Sequence, residues 1–343
     1  MRKFTLSFLM MLLAVMSAEA KYWKIGPSSV TGMDFASINA AMSSSDVSKG
    51  DTLYLDQYYN ENGDQTVTKK VVIIGTGYDT SLTDEQVVAT LTGRLHLKAN
   101  NVIVKSVRLE EVCFYNDDCT VDRCYAKRMR TQSSTAGLNH IYSCYITEYV
   151  IGYNNSNYSM LDIQNCVLNG NASYLNSIQY LTSSIINNNT IVNASGYQSY
   201  LIADVKNTQI SNNIMLITDS GNNERALANG VYSSGSGNSI EHNILSHTSA
   251  LTYYPTNKIG YGGSSSELFT QEGNYSDYYK LAEKSAALGY ATDGGEVGCH
   301  GGMFGCPSGG RPQYIPYFSK VVVGSRSEDG KLPVSVTIKI QEE

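Results

Sequence analysis

The chain has 343 residues, a net charge of −6 and a sequence pI near 5.4. An acidic balance argues against nucleic acid, whose phosphates demand a basic face. Only 16% of residues are charged, whereas Tyr numbers 26 against 7 Phe and 1 Trp, which describes a surface of neutral hydrogen-bonding groups and phenol rings.

In chain order, the first twenty residues read as an export signal. Arg2 and Lys3 give a positive start, Phe4 to Met16 an apolar stretch, and Ala18-Glu19-Ala20 a small-x-small cleavage site. That apolar stretch is too short to span a bilayer, and no later run is long enough, so no membrane anchor is expected. The expectation is a secreted or periplasmic protein, and a monomer. Residues 21–306 then form one elongated unit, longer than the ~150 residues usual for a domain. A passage rich in Gly, Ser and Pro opens at Pro307, followed by two strands, Lys320 to Gly324 and Leu332 to Ile340. They flank Glu328-Asp329-Gly330, so 307–343 reads as linker plus hairpin.

A repeat dominates the middle. An aliphatic residue is followed three places on by a small or polar one and five places on by an apolar one. It reads Val104-Val107-Leu109, Val121-Cys124-Ala126, Ile141-Cys144-Ile146, Ile163-Cys166-Leu168, Ile186-Asn189-Ile191, Ile210-Asn213-Met215 and Ile240-Asn243-Leu245. Successive units lie from 17 residues (Val104 to Val121) to 30 residues (Ile210 to Ile240) apart. Such spacing suits a solenoid whose coils stack at the ~4.8 Å strand separation, with equivalent residues on top of one another. Inward positions must then be apolar, or polar and satisfied by the neighbours above and below. Asn189, Asn213 and Asn243 fit an amide ladder, and Asn tolerates the left-handed backbone of tight bends. Cys124, Cys144 and Cys166 fall in the same column and read as free, buried thiols.

The stretches Asp34-Phe-Ala-Ser-Ile-Asn-Ala-Ala-Met42, Gly50-Asp-Thr-Leu-Tyr-Leu55 and Lys70-Val-Val-Ile-Ile-Gly-Thr-Gly77 resemble the opening of pectate-lyase-like β-helix proteins. Tyr279 to Tyr290 with Asp293-Gly-Gly-Glu-Val-Gly298 is similar to the closing turn of many bacterial secreted members. The resemblance implies an all-β, right-handed, single-stranded parallel β-helix of the pectin-lyase type. An N-terminal helix capped by Asp34 would close its first coil, with Phe35, Ile38, Ala41 and Met42 as the apolar face. It is specific for architecture and weak for chemistry.

Charged residues concentrate between 94 and 130. In register, Lys105 lies over Asp122 and Glu110 over Lys127, pairings that a stable stack would choose anyway. Arg123, Arg128 and Arg130 have no evident partner, so Arg108, Asp122, Arg123, Arg128 and Arg130 form the candidate catalytic patch. Tyr125 and Tyr145 share a column, with Tyr142 and Tyr149 nearby, as an outward platform for sugar rings. The family's Arg-x-x-Pro and polygalacturonase motifs are missing. Cys299-His300-Gly-Gly-Met-Phe-Gly-Cys306 offers three soft ligands, short of a closed zinc site, so a disulfide is the preferred reading, with Cys113 and Cys119 a second candidate pair. His140, His242 and His247 read as partly exposed strand residues. The expected function is binding of an extracellular acidic polysaccharide by a groove at about 105 to 150. If the protein is an enzyme, it is a polysaccharide lyase or glycoside hydrolase, Ca²⁺ entering only with the lyase. The rival expectation is a non-catalytic structural or adhesion protein.

Overall fold

A computed structural model describes residues 20–79, 87–170, 177–193, 200–217, 226–233, 235–246, 254–261, 268–270, 279–306, 309–310, 317–323 and 334–339. The export signal, His247, the Glu328–Gly330 turn and most of the 307–316 passage lie outside them. No helix among the described residues is long and apolar enough to cross a membrane.

The chain winds into a parallel β-helix. One sheet of ten strands, all parallel, is built from the segments that open each repeat, in chain order from Tyr22–Ile25 to Ser239–Glu241. A second parallel sheet takes the segments that follow them. It bends at register shifts between Leu91 and Arg94 and between Ala126 and Arg128, where an extra residue on one strand breaks the ladder. Beyond the strand Tyr145–Ile151 it divides, Tyr145 pairing with Val167 while Val150 pairs with Ile178. Each coil therefore has three faces: the first sheet, and the two arms of the second.

The repeat positions are the internal columns. Ile73, Val104, Val121, Ile141, Ile163, Ile186, Ile210 and Ile240 stack in register and are buried. At the bend, Cys124, Cys144 and Cys166 are free and fully buried. Asn189 follows them: its side-chain oxygen accepts from the Cys166 N–H at 2.9 Å. Its own amide donates to Asn213 Oδ1 at 3.0 Å, and Asn213 repeats this to Asn243 Oδ1 at 2.9 Å. Asn257 continues the ladder, accepting from Asn243 at 2.9 Å. The left-handed residue is the one before the ladder: Ser106, Arg123, Ser143, Asn165, Asn188, Asn212 and His242 have φ of 59, 52, 49, 54, 52, 57 and 54°. Asn adopts this region more readily than most non-glycine residues.

At the N-terminal end a helix covers Ile38–Ser43, burying Ile38, Ala41 and Met42. Its cap is Ser37, whose hydroxyl accepts from Ala40 N–H at 3.1 Å, rather than Asp34, whose carboxylate instead accepts from Lys24 N–H at 2.8 Å. Asp51, buried in the Gly-Asp-Thr turn, accepts from Lys21 N, Trp23 Nε1 and Ser48 N, each at 2.8 Å. Toward the C-terminus, Tyr317–Val323 pairs antiparallel with Val334–Lys339.

A strap of irregular chain, 291–306 with 309–310, runs back along the solenoid over the left-handed turn column. Asn212 accepts from Thr292 N at 2.9 Å, and Asn188 Nδ2 donates to Glu296 O at 3.1 Å. Asn165 Nδ2 donates to Cys299 O at 2.9 Å and to Gly301 O. The Ser143 hydroxyl is shared between Phe304 O at 2.9 Å and Gly305 O at 2.8 Å. Gly309 O accepts from Tyr78 N–H at 2.9 Å, so this part of the expected linker is bonded to an early coil. Gly301 is obligatory here, because a Cβ would meet Glu296 O at 1.8 Å and Asn188 Nδ2 at 2.5 Å. With residues 268–270 and 279–291 the strap buries a second apolar cluster outside the coils, including Tyr125, Tyr145, Val167, Ile214, Ile244, Val297 and Cys299.

Candidate functional site

The densest polar constellation lies on the third face, on the strands Thr90–Leu97, Arg108–Phe114, Tyr125–Thr131 and Tyr145–Ile151. Their register places Arg94, Glu111, Arg128 and Tyr149 in one outward column, and His96, Cys113, Arg130 and Ile151 in the next. Glu111 sits at the centre with only 1% of its side chain exposed. Three guanidinium groups surround it: Arg130 Nε at 2.7 Å, Arg94 Nε at 3.5 Å and Arg128 Nε at 3.7 Å. Arg128 also reaches Glu110 at 2.9 Å and Glu148 at 3.6 Å, and Lys127 pairs with Glu110 at 2.8 Å. Burial works against the charge on Arg128, but Glu111 and Glu148 outweigh it and hold its pKa above the ordinary value. Arg130 donates to the Tyr149 hydroxyl and lies 5.6 Å over its ring. At the rim His96 is 3.2 Å from Asp64, and Lys98 stands 5.2 Å over Tyr115. Outward, the side chains of Arg94, Arg130 and Arg128 remain 56%, 33% and 29% exposed.

The five residues of the expected catalytic patch do not converge. Arg128 and Arg130 share the third face and, against the expectation that they lack partners, both pair there with Glu111. Arg108 leaves the group, its guanidinium 4.8 Å over the Tyr125 ring. Asp122 pairs with Lys105 at 3.3 Å on the first sheet, as register suggested. Arg123 occupies the left-handed turn and donates to Phe304 O at 3.4 Å. Arg94, Glu111 and Glu148 complete the cluster. Glu111 was legible, since the offset that stacks Glu110 over Lys127 also stacks Glu111 over Arg128. Arg94 was not, because the register slips between Leu91 and Arg94.

The tyrosine platform is corrected. Tyr125 and Tyr145 do stack, centroids 5.9 Å apart and planes 25° apart, but both are buried under the C-terminal segments. Tyr149 is buried beneath Arg130. Tyr142 lies on the first sheet under Phe304, and its hydroxyl donates to Asp162 Oδ2 at 2.5 Å. An outward aromatic row is an apolar surface, and here the chain covers it with its own later residues.

Around Tyr142 a smaller polar group forms. His140 Nδ1 is 3.3 Å from Asp162 Oδ2, and Gln164 Nε2 donates to Asp162 Oδ1 at 2.7 Å. Burial raises the Asp162 pKa, but the bonds from His140, Tyr142 and Gln164 prevail and hold it below the usual carboxylate range. Near the N-terminal end, a cleft of about 300 Å³ is lined by Lys24, Met33, Tyr54 and Asp56, and burial raises the Asp56 pKa.

The cysteines divide. Cys113 and Cys119 are free thiols with separate surroundings. Cys113 lies 3.7 Å from Glu111 Oε1 and burial pushes it up to about 12. Cys119 belongs to the interior cluster, bonded to Ala99 O at 3.2 Å, and burial pushes it up to about 11. Cys299, His300 and Cys306 bring their ligand atoms within 4.8 Å of one another, the one such group of three among the described residues. The third-face carboxylates are already taken by Arg and Lys and do not form the oxygen cage that Ca²⁺ requires. Comparison with protein-family models, curated proteins and solved structures returns no match for this chain.

Proposed function

We propose that this chain is an exported, pectate-lyase-like β-helix protein that binds an acidic extracellular polysaccharide across its third face. The observation that carries the reading is Glu111, a carboxylate buried on the outer side of a sheet and held by three partly exposed guanidinium groups. A buried charge cluster is a poor way to gain stability, since desolvation offsets most of the attraction. It is an effective way to fix planar, bidentate donors, and Arg94, Arg128 and Arg130 present their remaining N–H groups to solvent along one short stretch of solenoid. Uronate or sulfate groups on a polymer lying across the coils match those donors. Glu110, Glu111 and Glu148 all stand in ion pairs, whereas glycoside hydrolysis needs one protonated carboxyl as acid. Binding is therefore favoured over hydrolysis.

Affinity electrophoresis in gels containing polygalacturonate, alginate or a sulfated glycosaminoglycan tests the reading, with dextran as neutral control. Retardation by an acidic polymer is expected, weakening with salt and falling about tenfold in affinity for Arg94→Gln, since a charge-assisted bond contributes ~1.5–3 kcal/mol. Equal mobility in every gel would leave the structural or adhesion reading in its place. Ultraviolet absorbance of unsaturated product during the same incubations separates a lyase from a binding module.

A further inference from the structure

We propose that Cys299 and Cys306 are joined by a disulfide that closes the strap into a loop and clasps it onto the left-handed turn column. Both are free thiols in this structure, with their Sγ atoms 2.7 Å apart and Cys299 buried. Two thiolates sharing one tetrahedral zinc would stand about 3.8 Å apart, given Zn–S bonds near ~2.3 Å. The sulfurs are placed for one another rather than for an ion between them. The loop they close is shaped in advance. Gly302 and Gly305 adopt φ of 70° and 73°, the left-handed region that admits glycine freely. The same loop is the part of the strap most densely bonded to the solenoid. Asn165 holds the carbonyls of Cys299 and Gly301, while Ser143 and Arg123 hold that of Phe304. Cys299 N–H donates to Thr190 Oγ1 at 3.1 Å, fixing the first cysteine to the second sheet.

No other cysteine competes for either sulfur. Cys124, Cys144 and Cys166 bond to backbone carbonyls inside the coils, and Cys113 and Cys119 have the partners described above. Formation requires an oxidant of the disulfide class, small or protein-borne. The Cys299 and Cys306 thiols each lose a proton and an electron, one S–S bond forms between them, and the donor disulfide is cleaved to two thiols. Closing the loop removes open conformations from the strap, so the cover over Tyr125 and Tyr145 stays shut more of the time.

The test is peptide mapping of the full protein, exposed to oxidised glutathione, then unfolded and alkylated with iodoacetamide without reductant. A linked Cys299–Cys306 peptide is expected, with adducts on the remaining five of the seven cysteines. Adducts on both Cys299 and Cys306, or a link to any other cysteine, overturn the proposal. So does zinc retained stoichiometrically and lost in Cys306→Ser. Proteolysis of the native protein gives a second reading that needs no variant. Dithiothreitol should speed cleavage within 291–306 about tenfold, and an unchanged rate counts against the clasp. The outcome is independent of whether any polysaccharide binds.

Discussion

Phe304 lies flat on Tyr142, with ring centroids 4.0 Å apart and planes 7° apart. The stack joins the end of the strap to the middle of the first sheet. The carbonyl of the same Phe304 accepts from Ser143, the residue after Tyr142. Phe304→Ala should therefore loosen the strap without unwinding the coils. Hydrogen exchange should accelerate for the amides of 291–306 and not for the inward columns, with a loss of ~1 kcal/mol from the stacked pair.

The amide ladder is a stronger dependence. Asn213 accepts from both the backbone and the side chain of Asn189, and donates to Ile186 O, Ser211 O and Asn243 Oδ1. Asn213→Ala leaves buried donors and acceptors unpaired on two neighbouring coils. A loss of ~3 kcal/mol or more is expected in urea unfolding, at ~1–3 kcal/mol for each orphaned group. Asn213→Cys should cost less, because Cys166 holds the same column and accepts from Cys144 N–H at 3.4 Å.

Ser106 is fully buried at φ 59°, and its hydroxyl has no hydrogen-bond partner. Ser106→Gly relieves the left-handed strain and removes the orphaned hydroxyl, against a smaller loss from the freer unfolded chain. Stability should rise by ~1 kcal/mol, read from the denaturation midpoint at unchanged slope.

Asp162 sets an acid limit. Its folded pKa lies below the ordinary value of 3.8 because His140, Tyr142 and Gln164 bond to the carboxylate more strongly than burial opposes it. A depressed carboxyl stabilises the fold above the unfolded pKa, and that contribution disappears as pH falls through the lower folded value. In the window below about pH 4, Asp162→Asn should lose stability less steeply with falling pH than the wild type. A thermal-melt series from neutral pH to about pH 2 reads the difference. Parallel slopes would place the acid-sensitive group elsewhere, Asp51 being the next carboxylate held low by the bonds it accepts.

What the repeat made legible is the inside of the coil. Cys124, Cys144, Cys166, Asn189, Asn213 and Asn243 could be assigned to one buried column because stacking converts a spacing along the chain into a neighbour in space. The pairs Lys105–Asp122 and Glu110–Lys127 followed from the same register. The cap of the helix Ile38–Ser43 escaped, because Asp34 and Ser37 are both suitable residue types and only the backbone path chooses between them.

Beyond those pairs, the outside was decided by tertiary structure. Whether Tyr125 and Tyr145 face a ligand or a cover depends on chain more than a hundred positions later. Asn165 meets Cys299 across 134 residues and Ser143 meets Phe304 across 161, separations that no local pattern encodes. The guanidinium cluster likewise needed the slips at Leu91/Arg94 and Ala126/Arg128, which re-aim outward side chains. The sequence by itself determined the columns, since a dry, narrow interior admits few residue types. The outward faces admit many, so most of their partners were set by the slips in the second sheet and by where the strap came to rest.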